Sequence, residues 1–464
     1  MRYTAIHCPK KEARRVTRIF DFLNCRFFGA VVPLFLLFGG VFLAVRLKGF
    51  FILHPIRTVK AMLFPENGDK KERASGLRAL AMALAGTLGV GNISGVALAL
   101  MTGGAGALFF MWLSALFAMA LKYGEVTLAV RFRPPPDEDG PRGGAMYYIR
   151  DGLHGRGHRA LAAVFAVLCL LASFFIGSFV QVNAIGESFY GTFHLYPVVT
   201  GVILTIVCAW IVFGGTKKIS AVTARLVPAM TAFYIFLTIA VLVTHMPAIP
   251  GAVARVFREA ATPQSACGGI AGFLFSRAVR IGCARGIFSN EAGCGTAPMA
   301  HATGECGTPM RQGLFGIAEV FIDTFVLSTL TGLAVLVAVP ELDGDPTGGG
   351  VDLINRTVAT VFARAAPVLV AVTVFVFAFA TVICWAHYAA TALRYFTRSR
   401  AARTAFLSLY SLSLTVGTLL PAADVFVYTD TLVFLMTGLN TAVLLALSPV
   451  IATESKEMCA FSTE

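Results

Sequence analysis

Charge is scarce in this sequence. Only 14% of its 464 residues are Asp, Glu, Lys or Arg, against roughly 25% in a water-soluble domain. A chain so poor in charge cannot cover a surface in water, which excludes a soluble globular protein. Paired cysteines are missing too. Ten cysteines are scattered, with Cys169, Cys208, Cys283, Cys294 and Cys384 inside apolar runs, and no CxxC occurs. That pattern argues against a disulfide framework or a zinc site. A membrane-embedded hydrolase would need an HExxH motif or a nucleophile elbow, and the sequence has neither. The reading is therefore not an enzyme, with no cofactor. The glycine-rich stretches lack both the P-loop lysine and the dinucleotide spacing.

What is present is apolar. Hydrophobic residues make up 57% of the chain, 39 of them phenylalanine, and the mean hydropathy is +0.75. A bilayer core needs about 20 apolar residues per helix. By that ruler about eleven segments cross, near 27–48, 77–101, 105–131, 159–185, 195–214, 222–246, 268–300, 313–339, 357–394, 404–422 and 424–450. Their length and continuity exclude a β-barrel, whose strands are short and alternating. The expected fold is an all-α polytopic membrane protein. A basic start runs into a span-length apolar stretch without a cleavage site, so no signal peptide is expected.

The formal net charge of +13 fits basic cytoplasmic loops rather than nucleic acid. Connections after the odd-numbered segments, counted with the segment ends that flank them and the C-terminus, carry 23 Lys or Arg; those after the even-numbered segments carry three. This places the C-terminal tail, 451–464, in the cytoplasm. The N-terminal tail, 1–26, is basic as well and runs against this assignment, since an odd segment count puts it outside.

Two segments are interrupted by residues that weaken helices. "GTLGVGNISG" spans Gly86–Gly95, and "GCARGIFSNEAGCGTAP" spans Gly282–Pro298. Both contain asparagine, then two residues, then glycine. With 27–48 set aside as an extra helix, 77–246 and 268–450 form two groups of five, inverted relative to each other because five is odd. The interruptions open each group. Paired breaks in two inverted halves are a pointer to a transporter's binding site. A broken helix offers N–H groups and a positive dipole to a carboxylate at one end, and carbonyls to a cation or an ammonium group at the other. The competing reading is close packing, since Gly91–Gly95 and Gly282–Gly286 both fit GxxxG; it leaves Asn92, Asn290 and Glu291 unexplained. A channel would want a continuous polar stripe or charge ring rather than two concentrated breaks.

From about residue 21 the motifs resemble, in order, those of the alanine or glycine:cation symporters, with the inverted-repeat fold of the leucine transporter. They are "GTLGVGNISGVA", "LKYGEVTLAVRFR" (121–133), "GGAMYYI" (143–149, with Ala145 where proline is usual), "GSFVQVNAI" (177–185), "ARGIFSNEAGCGTAPMAHA" (284–302) and "FIDTFVLST" (321–329). The resemblance implies sodium-coupled uptake of alanine or glycine across a prokaryotic cell membrane. Proton coupling, or another small neutral amino acid such as serine or glutamine, is the alternative. It implies substrate contacts from Thr87, Gly89, Gly91 and Asn92, from Gly177 and Gln181, from Phe288, Ser289 and Asn290, and from Thr381 and Trp385. A sodium site is implied near Gly86, Gly89 and Thr381. One departure stands out. After Trp385 the run is "WAHYAA" (385–390), with His387 in place of a tyrosine and Ala390 in place of the family's usual glutamate.

Carboxylates inside spans are functional candidates by default. Glu291 and Asp323 are expected to hold the broken helix or to tune cation affinity. Glu125, three residues from Lys122, reads as half of a helix-end ion pair, and Glu187 as lying near a watery mouth. Arg277, Arg280 and Arg285 read as gate or cavity charges. His154 and His158 read as a solvated loop, and His301 as structural.

Overall fold

The computed structural model describes residues 29–64, 70–137, 140–261, 277–304, 307–342 and 350–456. The basic tail lies outside them, as do residues 457–464. Regular structure among the described residues is helical. The helices that carry the argument are α1 (Gly29–Arg46), α2 (Lys70–Thr87), α3 (Ser94–Gly103), α4 (Gly106–Arg131), α5 (His158–Phe193), α6 (Pro197–Val212) and α7 (Gly215–Thr244). They continue with α8 (Arg277–Asn290), α9 (Pro298–His301), α10 (Pro309–Ala338), α11 (Ala366–Phe396), α12 (Arg400–Gly417) and α13 (Ala422–Ala446).

Six described stretches form helices long and apolar enough to cross a bilayer: Gly106–Arg131, His158–Phe193, Gly215–Thr244, Pro309–Ala338, Val351–Phe396 and Asp424–Ala446. Several helices start as local chemistry dictates. Pro197, Pro298 and Pro309 occupy the first turn, where a missing N–H costs nothing. Thr308 and Ser399 accept the N–H groups of Arg311 and Ala402 at 3.3 Å. The segment expected at 357–394 is not one straight helix. Val351–Phe362 is joined to α11 through a single 3-10 turn at Ala363–Ala365. Pro367 fits the joint, because it withholds the N–H that would bond back into the preceding turn, and the chain bends at Ala363, whose φ is 44°.

Two helices carry an extra residue per turn. α5 widens into a π-helix at Phe175–Phe179, and α10 does so at Phe321–Ser328. Such turns release carbonyls from the ladder, and those must find other donors. In α10 the Ser328 hydroxyl donates to the Asp323 carbonyl and the Thr329 hydroxyl to the Thr324 carbonyl, both at 3.1 Å.

α4 is the pillar of the molecule. It packs against α1, α8 and α10, and is as enclosed as α11. Outward-facing positions of other helices are apolar, among them Ile206 and Trp210 on α6 and Leu409 and Leu412 on α12. Apolar surface on that scale suits a lipid environment.

Candidate functional site

Both glycine-rich stretches are true interruptions. α2 ends at Thr87 and α3 starts at Ser94. Between them Gly89 is extended, Val90–Asn92 make one 3-10 turn, and Ile93 sits outside helical geometry. The second helix runs on through the first nine residues of the quoted stretch, Gly282 to Asn290. Ser289 and Asn290 close α8, and the chain unwinds from Glu291 until α9 begins at Pro298. Glu291, Gly293 and Gly295 have φ of 50°, 80° and 78°. The two glycines adopt this left-handed region without penalty; Glu291 does so at a cost. The packing reading holds for one pair: a Cβ on Gly282 or Gly286 would meet the Ala107 carbonyl or the Ser114 hydroxyl of α4 at 2.5 Å. These glycines seat α8 on α4, upstream of the break itself.

Asp323 joins the two interruptions. One carboxylate oxygen accepts from Asn92 Nδ2 at 2.8 Å; the other accepts from Ser289 Oγ at 2.9 Å and from Thr324 Oγ1 at 2.8 Å. The Asn92 amide also reaches the Asp323 carbonyl at 3.1 Å and Ser328 Oγ at 3.3 Å. The Asn92 carbonyl, freed by the break, accepts from Thr331 Oγ1 at 2.8 Å. Asn290 Nδ2 reaches Thr324 Oγ1 at 3.4 Å, while its carbonyl oxygen caps the Ala292 N–H at 3.0 Å. Asp323 is fully buried, and the donors to its carboxylate, Asn92, Ser289 and Thr324, are neutral. A buried carboxylate held only by dipoles attracts a cation.

A second group meets at Gly89. Gln181 Oε1 on α5 accepts the Val90 N–H at 3.3 Å, and Gln181 Nε2 donates to the Ile176 carbonyl that the π-turn releases, at 3.2 Å. A Cβ on Gly89 would lie 2.8 Å from Thr381 Oγ1 and 2.9 Å from Gln181 Oε1. Gly89, Gln181 and Thr381 are therefore neighbours. Gly86 lies against the Tyr388 hydroxyl instead. Gly177, within the π-turn, packs directly on the Trp385 side chain, leaving no room for a Cβ. Asn92 Oδ1 is buried without a hydrogen-bond partner among the described residues, while Trp385 lies beside the Glu291 carboxylate and Tyr388 beside Cys384. An orphaned polar atom is costly in a fold that satisfies the great majority of its buried groups.

Thr87 is buried, and its hydroxyl turns back to the Ala83 carbonyl at 3.4 Å. The side chains of Phe288, Arg277 and Arg280 lie outside the described residues. Arg285 stacks over Phe426, its guanidinium 5.8 Å from the ring centre. Glu187 is exposed, and His154 lies in an exposed loop as expected, but His158 opens α5, its Nδ1 2.7 Å from the Gly155 carbonyl of the turn before it.

One expectation is corrected. Lys122 pairs with Glu319 of α10 at 3.4 Å, not with Glu125. Both side chains are fully buried, and Glu319 also meets His301 Nε2 at 2.9 Å, with Gln312 behind that ring at 2.8 Å. Glu125 instead accepts the Gly295 N–H at 2.9 Å and Asn440 Nδ2 at 2.7 Å. Asn440 also donates to the Gly293 carbonyl at 3.0 Å and accepts from the Tyr148 hydroxyl at 2.6 Å. These groups fix the unwound segment from behind, while Glu291 closes it through a 2.6 Å bond from Thr296. Ser328, Thr331, Gln312 and Asn440 carried no sequence signal, because their roles depend on contacts between distant helices.

Comparison with known proteins agrees with this geometry. Residues 13–462 match the Sodium:alanine symporter family. The sodium/alanine symporter AgcS of Methanococcus maripaludis is 34% identical, over 94% of this chain and 95% of that protein. The probable sodium/glutamine symporter GlnT of Bacillus subtilis is 31% identical, over 79% of this chain and 74% of that one. Among solved structures, MhsT in complex with L-phenylalanine aligns with a TM-score of 0.55 at 17% identity, covering 82% of this chain and 98% of that chain. At that identity the likeness shows the fold alone, a leucine-transporter-like one. The chain belongs to the sodium:alanine symporter family, and is a multi-pass membrane transporter.

Proposed function

We propose that this transporter couples the inward movement of sodium to that of a small neutral amino acid, alanine or glycine, by alternating access. The observation that carries the reading is Asp323, whose carboxylate is hydrogen-bonded to Asn92 of one broken helix and Ser289 of the other. A sodium ion beside it would neutralise the charge and draw both breaks together. The Gly89, Gln181 and Thr381 cluster then meets the zwitterion: freed N–H groups face its carboxylate, and Gln181 supplies a neutral donor and acceptor. Gly89 and Thr381 also offer oxygens to a second cation. Trp385, seated on Gly177, closes the space beyond the substrate's α-carbon, which favours a methyl group or a hydrogen as side chain.

The basic loops support taking their own side as cytoplasmic. One charge entering down about 100 mV releases about 2.3 kcal/mol, and a tenfold sodium gradient adds about 1.4 kcal/mol. Together they support accumulation of several hundredfold. The test is uptake of radiolabelled alanine and glycine into proteoliposomes under an imposed sodium or proton gradient. Accumulation driven by sodium supports the reading; accumulation driven by protons alone, or none of either solute, overturns it.

A further inference from the structure

We propose that His387 is the inner gate residue of the transport path, the side chain that ties the second broken helix to its surroundings on the basic-loop side. This rests on the transport reading above. His387 lies on α11 six residues past Thr381, about 9 Å along the helix axis, and is 2% exposed. Its Nδ1 sits 3.4 Å from Thr216 Oγ1 at the start of α7, and its Nε2 sits 3.4 Å from the Met299 carbonyl in α9. A ring protonated at Nε2 satisfies both, donating to Met299 and accepting from Thr216. The imidazole thus links three elements, one of which continues the unwound segment of the site.

Both bonds lie near the outer limit of hydrogen-bond length. They hold the three elements together yet are easily given up. Beyond the ring opens a cavity of about 280 Å³, lined by His387 together with Thr216, Lys217, Ala390, Arg394 and Arg403. Ala390, three residues further along α11, contributes only a methyl group to that wall. A second cavity of about 570 Å³ shares Thr216 and Lys217 and is bordered by Arg78 and Arg225. Both open among the basic loops. His387 therefore stands between the buried cluster around Thr381 and Trp385 and the space leading to the cytoplasm. The sequence had singled it out as a departure, and the binding site itself gives it no role.

Cys384 offers the reporter. It is buried one turn nearer the site, with Sγ 3.0 Å from the Met82 carbonyl of α2. The experiment uses the full chain in oriented membrane vesicles, with every other cysteine replaced, and a charged, membrane-impermeant methanethiosulfonate added to one face at a time. His387→Ala should speed modification of Cys384 from the cytoplasmic face at least tenfold and leave the rate from the opposite face unchanged. Thr216→Val, which cuts one tie without touching the ring, should give a smaller rise on the same face. His387→Gln, which keeps a donor and an acceptor, should stay within about twofold of the parent. Equal rates in His387→Ala and parent, or a rise from both faces, would overturn the proposal. The readout needs neither amino acid nor sodium, so its failure leaves the symport reading standing, and absent uptake with face-selective labelling would sink symport alone.

Discussion

The side-chain amide of Asn92 donates to the carboxylate of Asp323 at 2.8 Å, across 231 residues of chain. Asn92 occupies the first break and Asp323 the π-turn of α10, which itself faces Ser289 at the second break. Any change in charge at Asp323 is therefore felt by both interruptions at once.

Replacing Asp323 with Asn keeps its size and removes its charge. A ligand at a hundred times its dissociation constant stabilises a protein by about 2.7 kcal/mol. The wild-type protein in detergent should gain thermal stability with rising sodium at constant ionic strength, and Asp323→Asn should lose that response. A sodium response of full size in the variant would remove Asp323 from the ion site.

Gly89→Ala places a methyl group within 3 Å of both Thr381 Oγ1 and Gln181 Oε1. Uptake of alanine should fall at least tenfold while the protein still reaches the membrane, as judged by surface labelling. Gln181→Ala should act in the same direction. It leaves the Val90 N–H without the Gln181 oxygen it donates to, at a cost of about 1–3 kcal/mol. Uptake close to wild type in both variants would dissolve the substrate assignment at this cluster.

Trp385, packed on Gly177, sets the size limit in the proposed symport. Trp385→Ala should lower alanine uptake and raise the ratio of glutamine to alanine transported, measured by competition. Gly177→Ala, which collides with the indole, should depress uptake of every solute. A solute preference unchanged by Trp385→Ala would place the selectivity elsewhere.

The Lys122–Glu319 pair is fully buried, and removing Lys122 leaves the Glu319 carboxylate with His301 alone. Breaking a pair of this kind costs about 3–5 kcal/mol, whereas replacing both charges with apolar groups is often neutral. Lys122→Met should therefore lower the melting temperature in detergent more than the double variant Lys122→Met with Glu319→Leu. Equal losses in the two would show that the pair contributes through packing alone.

Particular residues show how far the sequence could be read. The breaks were legible, because glycine and asparagine within an apolar run oppose the helix that surrounds them. Glu125 and Lys122 misled, because a spacing of three residues on one helix suggests a pair. Their partners lie on other helices and on the unwound backbone instead. The π-turns left no trace: no local residue pattern marks Phe175–Phe179 or Phe321–Ser328, and only the demand of Gly177 for Trp385, and of Asp323 for Asn92, explains their position. The joint at Ala363–Ala365 was readable in hindsight from Pro367.

The π-turn of α10 also lets the helix absorb more residues than a regular helix would hold over the same rotation. Deleting one residue among Thr324–Leu327 would let the ladder close into regular α-helix while leaving the two ends of α10 facing much as before. Thr331 would keep its place beside the Asn92 carbonyl, whereas the carbonyls of Asp323 and Thr324, now served by Ser328 and Thr329, would return to the ladder. The surplus length therefore sets what the middle of α10 offers to its neighbours, not where its ends point.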